Sequence, residues 1–231
     1  MMMKTLYGIA LIIAAGMTLA SCSKLQNTSV LATANCSSCH GSIMNPAPPP
    51  DAAGDTSTSD PFVGAHQVHL NGSDFASQVE CSTCHIVPTS IGPGVHPGGI
   101  SSATLVTFSG VAMTETNTPG TRFYDSTLAT VTPQPTFNAK TLQCSNTYCH
   151  GNFKGGNNFS PTWNVVNSSQ DSCGSCHGIP PDDATHRGKG ITLQTCYYCH
   201  SPMIGPDGVI VDNSMHVTGK LVLYGKSVSA W

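Results

Sequence analysis

Charged and aromatic residues are scarce in this 231-residue chain, at 9% and 6% of the sequence. Glycine and proline are plentiful, with 23 and 16 residues. A chain of this composition can build only a weak apolar core from its own side chains. The formal net charge is −3 and no run of basic residues occurs, so nucleic-acid binding has no support.

Long apolar runs are also missing, except at residues 6–20. That run is shorter than a membrane-spanning helix, which needs about 20 apolar residues, and it predicts an export signal. It ends in Leu-Ala-Ser-Cys at residues 19–22, which resembles the lipobox of bacterial lipoproteins. The resemblance implies removal of residues 1–21 and acylation of Cys22, and more than one acyl chain would anchor the protein durably. Ordinary signal cleavage after Ala34 is the alternative, although that position lies far beyond the apolar run.

Cysteine is abundant, with eleven residues, and ten of them form pairs that are followed at once by histidine. The five motifs are site 1 (residues 36–40), site 2 (81–85), site 3 (144–150), site 4 (173–177) and site 5 (196–200). Sites 1, 2, 4 and 5 read Cys-x-x-Cys-His, and site 3 has four residues between its cysteines. Two thiols at this spacing suit the two vinyl groups of a c-type haem, and the histidine is placed to bind the iron. The sequence therefore predicts five covalent haem c groups.

The predicted haem residues are of two kinds. The cysteines that form thioethers are Cys36, Cys39, Cys81, Cys84, Cys144, Cys149, Cys173, Cys176, Cys196 and Cys199. The motif histidines that bind iron are His40, His85, His150, His177 and His200. The wider spacing of site 3 requires a looped-out segment.

Other uses of paired cysteines explain less of the pattern. Zinc sites and redox dithiols also contain Cys-x-x-Cys, but neither requires histidine directly after the second cysteine. Five disulfides would suit an exported chain, yet they leave the five histidines unexplained.

Five further histidines lie outside the motifs, as many as the predicted irons. They are His66, His69, His96, His186 and His216. Imidazole binds haem iron axially, so they are the predicted second ligands, although any one of them could be a surface histidine. Methionine is the competing ligand, and Met215, beside His216, is expected to pack instead.

The predicted fold is mostly irregular, with short α-helices and a few short β-strands wrapped around the haems. A strand is expected at residues 104–108, which contain β-branched and aromatic side chains. Because the polypeptide supplies little core, folding should depend on haem attachment.

The chain repeats its plan, with sites 1 and 2 corresponding to sites 4 and 5. In this alignment His69 matches His186 and His96 matches His216, whereas His66 has no counterpart. The predicted organisation is a signal peptide at 1–21, a polar tether at 22–35, a first di-haem repeat with a proline-rich loop and spacer at 36–143, and a tri-haem unit at 144–231.

This arrangement resembles the outer-membrane multihaem cytochromes c of metal-reducing bacteria, in which both motif spacings alternate. The resemblance is densest over residues 144–219. It includes Tyr148, Trp163, the Gly-Ile-Pro-Pro run at 178–181, His216 and Gly219. It implies an electron carrier, often anchored by lipid. This chain would be a small member of that family, because no Cys-x4-Cys-His motif precedes its first copy.

Electron transfer is the predicted function, because two imidazoles on every iron leave no open position for a substrate. The rival class is a multihaem reductase with one open haem, but no motif replaces its histidine with lysine. A subunit of a cytochrome filament is a third possibility, but an N-terminus tethered by lipid does not suit a free polymer.

Expected partners are redox proteins of the periplasm and outer membrane, a porin–cytochrome complex or an extracellular acceptor. The expected location is the outer membrane, facing the periplasm or the cell surface, and Ser23 after the lipid cysteine is compatible with it.

Intact mass spectrometry of the exported protein should show five haem increments over the polypeptide mass. Four increments would mean that site 3 does not carry haem, and would contradict the interpretation of its four-residue spacer.

Overall fold

Regular secondary structure is sparse in the computed structural model, which describes residues 37, 40–42, 45–87, 106–116, 125–167 and 169–228. The α-helices are α1 (His66–Asn71) and α2 (Tyr197–His200), and the 3-10 helices are Cys81–Thr83, Gly110–Met113, Tyr148–His150, Leu193–Thr195 and Asn213–Met215. The strands are β1 (Thr136–Asn138), β2 (Gln143–Ser145), β3 (Leu221–Leu223) and β4 (Lys226–Val228). The predicted fold class, mostly irregular with short helices and strands, is confirmed. No helix in these ranges is long and apolar enough to cross a lipid bilayer.

The strands form two separate antiparallel pairs. β1 pairs with β2 and sets Phe137 opposite Cys144, so this pair leads directly into site 3. β3 pairs with β4 through a two-residue turn at Tyr224 and Gly225. Both turn residues have positive φ, 50° and 73°, as the tight hairpin turn that matches strand twist requires.

The apolar core is small. The buried hydrophobic residues of the described chain are Val63, Ala112, Tyr148, Ile204 and Val222. They are scattered along the sequence, and only Tyr148 among them is aromatic. Such a set is too small to stabilise a chain of this length alone, which agrees with the expectation that bound haem supplies much of the core.

Side chains from the last third of the chain hold the segment at residues 59–73. The indole N–H of Trp163 donates to the Pro61 carbonyl at 3.0 Å. The Asn213 amide donates to the Ser73 carbonyl at 2.7 Å. These bonds give hydrogen-bond partners to two carbonyls that lie outside the strands, and they fix the segment that carries α1.

The strand predicted at residues 104–108 is wrong where the structure describes it, because residues 106–108 belong to no strand. The Thr107 N–H donates to the Cys84 carbonyl at 2.8 Å. The segment thus bonds to the turn of site 2, and this use of its backbone replaces a strand ladder.

The β3–β4 turn makes a similar contact in the second copy of the repeat. The Tyr224 N–H donates to the carbonyl of Cys199, the second cysteine of site 5, at 2.7 Å. In both copies, therefore, the segment that follows the predicted ligands His96 and His216 bonds to the second cysteine of a motif. The described part of the chain thus repeats a contact as well as a sequence plan.

Candidate haem-binding sites

Sites 2 and 5 are each folded as a single helical turn. The His85 N–H donates to the Cys81 carbonyl at 2.9 Å, and the His200 N–H donates to the Cys196 carbonyl at 2.9 Å. This bond between residues four apart is the α-helical bond, and it brings both cysteines and the histidine onto one short segment. The three reactive side chains are thus positioned by local structure.

Site 3 reaches a similar turn by a longer route. Asn146 has a φ of 57°, a left-handed conformation that asparagine tolerates better than most residues. The chain then enters the 3-10 helix Tyr148–His150. The turn at Asn146 takes up the extra residues of the spacer, as the sequence predicts.

The cysteines that the structure describes are neither paired in disulfides nor gathered around a zinc-type site. The eight that the structure describes are free thiols: Cys81, Cys84, Cys144, Cys149, Cys173, Cys176, Cys196 and Cys199. Within the described ranges, the group of metal-binding side chains that lies within 4.8 Å is Asp51, Asp55 and Asp60. It contains neither cysteine nor histidine, so the described geometry does not favour the zinc and disulfide alternatives.

The sulfur atoms of three cysteines in sites 2 and 3 are buried. Burial raises the pKa of Cys84 to about 11, and it raises the pKa of Cys144 and of Cys149 to about 12. Burial favours uncharged sulfur because the thiolate loses its hydration. A thioether is likewise uncharged, so this environment suits cysteines joined to haem.

Each motif histidine of sites 2 to 5 faces a histidine from outside the motifs. The pairs are His85 with His66, His150 with His69, His177 with His216, and His200 with His186. Their ring centres are 6.1, 6.1, 6.3 and 6.2 Å apart, in that order. The angles between the ring planes are 20°, 79°, 78° and 16°.

These separations fit one metal ion between two imidazoles. With a metal–histidine bond of about 2.0–2.1 Å and roughly 1.1 Å from nitrogen to ring centre, opposed rings would have centres about 6.2–6.4 Å apart. Four pairs match that value within about 0.3 Å, although they join different parts of the chain. The donor set therefore fits haem iron bound by two histidines.

Hydrogen bonds at Nδ1 orient most of these rings. The acceptors are the carbonyls of Val63 for His66, Ala65 for His69, Gly178 for His177, Val222 for His200 and Phe75 for His216, at 2.6–2.9 Å, and the Asp183 carboxylate for His186 at 2.6 Å. A ring that donates from Nδ1 keeps the lone pair of Nε2 for a metal, and the acceptor fixes how the ring is turned. Six of the eight facing rings are thus held in the tautomer that iron requires.

Burial also keeps several of these imidazoles neutral. Burial, assisted by the charge of His69, lowers the pKa of His150 to about 4. It likewise lowers the pKa values of His66, His200 and His216. A metal binds only the unprotonated nitrogen, so these rings can bind iron at neutral pH without first losing a proton.

Sites 2 and 3 are joined by Trp163. Its ring centre lies 4.7 Å from that of His66, edge to face, and 5.8 Å from that of His69, stacked. Gly64 has a φ of 43°, and a Cβ at this position would overlap the indole. The absence of a side chain at Gly64 therefore allows Trp163 to contact the facing histidines of two sites.

The remaining sites are also adjacent in chain order. The ring centres of Phe153, which follows site 3, and His177 of site 4 are 6.3 Å apart. Burial, and then the charges of His186 and His177, lower the pKa of His200, so sites 4 and 5 are close enough to interact. At the other end, the charge of His40 contributes to lowering the pKa of His66, after burial and nearer histidines.

Several predicted residues lie outside the described ranges. They are Cys22, Cys36, Cys39 and His96, together with the predicted signal peptide and tether. The described His40 bonds through Nδ1 to the Pro46 carbonyl, as the other ligand candidates bond to their acceptors.

The pairing of the histidines differs from what the repeat alignment suggests. His186 faces His200, the histidine of the second motif in its own copy. In the first copy the corresponding motif histidine, His85, faces His66 rather than His69. His69 reaches the site 3 histidine instead. The sequence offers a partial signal for this, since α1 sets His66 and His69 one turn apart and can direct them to different partners.

Comparison with known families bears on sites 3 and 4. Residues 143–177 match the model of a family described as the Geobacter CxxxxCH...CXXCH motif. The match supports covalent haem c at a multihaem cytochrome c-like motif, and electron transfer as the class of function. No curated protein and no solved structure matches the chain.

Replacing Trp163 with alanine should lower the free energy of unfolding by about 1–3 kcal/mol, since a half-buried aromatic ring and its hydrogen bond to Pro61 are lost. It should also broaden the low-temperature magnetic resonance signals of sites 2 and 3, because His66 and His69 lose the ring between them. Trp163→Phe keeps the aromatic contacts and should retain sharp signals. Equal broadening at all sites would contradict this role.

Proposed function

We propose that this protein is a c-type cytochrome with five covalent haems that passes single electrons along a row of bis-histidine sites. The observation that carries the proposal is the set of four facing histidine pairs, each at the separation that one iron requires. The motif match and the irregular fold support the same class of protein.

The polypeptide has three tasks in this function. Its motif cysteines would attach the cofactor, and its histidine pairs would bind the iron. The backbone carbonyls at Nδ1 hold the rings at fixed angles, so little rearrangement accompanies a change of charge. Haem supplies a one-electron iron couple when bound.

Adjacency in chain order supports a linear path from site 1 to site 5. Trp163 joins sites 2 and 3, and Phe153 lies between sites 3 and 4. The thiol of Cys176 also lies 3.7 Å from the Cys149 carbonyl, which brings the thioether positions of sites 3 and 4 together. The path would have its two ends at sites 1 and 5.

The repeat supports a fifth pair at site 1. His216 faces His177, the motif histidine of the first site in the second copy. His96 is the counterpart of His216, and His40 is the counterpart of His177. We therefore assign His96 as the second ligand at site 1.

The reductase alternative needs an iron with an open position. At sites 2 to 5, every motif histidine has a facing imidazole. This arrangement favours a carrier over an enzyme that binds substrate at iron.

The proposed location is the outer membrane, with attachment through acylated Cys22. Support for this location comes from the lipobox-like residues 19–22 alone.

The proposed partners are redox proteins of the periplasm and outer membrane, a porin–cytochrome complex or an extracellular acceptor. A weakly charged surface with a net charge of −3 gives no preference for nucleic acid.

Replacing His216 with alanine should open one iron, that of site 4. That haem should become high-spin, bind carbon monoxide and shift to a higher potential, because a basic imidazole that stabilises oxidised iron is lost. Absorbance spectra of the reduced protein, with and without carbon monoxide, measure this. Added imidazole should restore the low-spin spectrum.

Met215→Leu is the matched control and should leave every haem low-spin, since Met215 is expected to pack rather than bind iron. Carbon monoxide binding by the unaltered protein would contradict the carrier function. So would a His216→Ala protein that stays wholly low-spin.

The Cys22→Ala variant should leave the membrane fraction or remain uncleaved, while it keeps its haems. Cell fractionation and N-terminal sequencing measure both outcomes. A variant that fractionates like the unaltered protein, with Asn35 as its first residue, would show that the lipoprotein assignment is wrong.

A further inference from the structure

One facing histidine donates from Nδ1 to a carboxylate. The imidazole of His186 donates to Oδ2 of Asp183 at 2.6 Å, and both side chains are 18% exposed. The six other described histidines with a defined Nδ1 hydrogen bond each use a backbone carbonyl. Site 5 therefore combines a histidine pair with a carboxylate.

The Asp183 carboxylate is held in this orientation by its own turn. Its Oδ1 accepts the backbone N–H groups of Thr185 at 2.8 Å and His186 at 3.1 Å. With one oxygen fixed by the backbone, the other is directed at the imidazole. This is a positioned contact rather than a mobile surface ion pair.

The neighbouring carboxylates are engaged elsewhere. Asp182 accepts from the guanidinium Nε–H of Arg187 at 2.8 Å, and both of these side chains are well exposed. Asp125 accepts from the hydroxyl of Thr127 and from the Ala184 N–H. Of these carboxylates, Asp183 is the one bonded to the ring of a candidate iron ligand.

A carboxylate at Nδ1 changes the ligand more than a carbonyl does. It draws the Nδ1 proton towards itself and leaves more electron density at Nε2, which makes the imidazole a stronger donor to a metal. A stronger donor stabilises the oxidised, more positive iron, and the potential of the one-electron couple falls.

We propose that Asp183 is a positioning residue that lowers the potential of site 5, so that electrons reside preferentially on the other sites. The inference rests on the proposed function, since it needs haem bound between His186 and His200. Because site 5 ends the row of sites, the effect gives the path a direction: an electron that enters at site 5 moves on readily.

Spectroelectrochemical titration of the haem-loaded protein tests this with the variant Asp183→Asn. Asparagine keeps the shape of the side chain and one of its two acceptor oxygens, and it removes the charge that faces the imidazole. One potential should shift upward while the others stay in place. A His186→Ala protein, in which site 5 becomes high-spin, identifies the couple that belongs to this site.

Asp182→Asn is the matched control, because it removes the same charge from the adjacent residue without touching the imidazole. It should leave the site 5 potential much closer to that of the unaltered protein. Low-temperature magnetic resonance gives a second readout: Asp183→Asn should move the low-spin signal of site 5, and Asp182→Asn should not.

Equal shifts in the two variants, or no shift in Asp183→Asn, would overturn this role for Asp183 and leave the carrier function intact. A protein without reversible haem couples would instead overturn the proposed function. If Asp183→Asn folds poorly, Asp183→Ser is measured in its place, with the same outcomes expected.

Discussion

The opposed imidazole pair is the interaction on which the rest of this structure depends. The chain has few buried apolar residues and no helix longer than six residues in the described ranges, so ordinary packing cannot define its fold. Instead, its loops and turns bring histidines from separate segments into opposition. Each pair then needs little more than a carbonyl or a carboxylate at Nδ1 to fix its angle. Irregular structure suffices because haem binding, rather than a helix or sheet, is expected to organise the chain.

The motifs were predictable because haem attachment is a local requirement. Two thiols and a histidine must lie on one turn, so they appear together in the sequence, and composition alone indicated a small core. Ligand pairing was not predictable in this way. His69 and His150 meet where Trp163 and Asn213 hold the segment around α1, and no spacing rule predicts such contacts. The strand expected at residues 104–108 was wrong at the described residues 106–108 for a related reason, because this segment bonds to a motif turn instead of a strand.

Ring angles divide the sites into two kinds. The imidazole planes are nearly parallel at sites 2 and 5, at 20° and 16°, and nearly perpendicular at sites 3 and 4, at 79° and 78°. The parallel pairs take their outer histidine from the segment that precedes the motif in the same copy. The perpendicular pairs take it from elsewhere in the chain. His69 lies in the first copy, His216 follows the motif that it faces, and each of these rings donates to a backbone carbonyl. One repeated plan thus produces two ring geometries.

Low-temperature electron paramagnetic resonance of the oxidised protein tests the central claim most directly. Parallel imidazoles split the iron orbitals and give a rhombic low-spin signal, whereas perpendicular imidazoles leave them nearly degenerate and give a signal with one large g value. The facing pairs predict both classes together, with sites 2 and 5 in the first and sites 3 and 4 in the second, and no high-spin iron. A high-spin signal, or a single uniform low-spin class, would contradict the account.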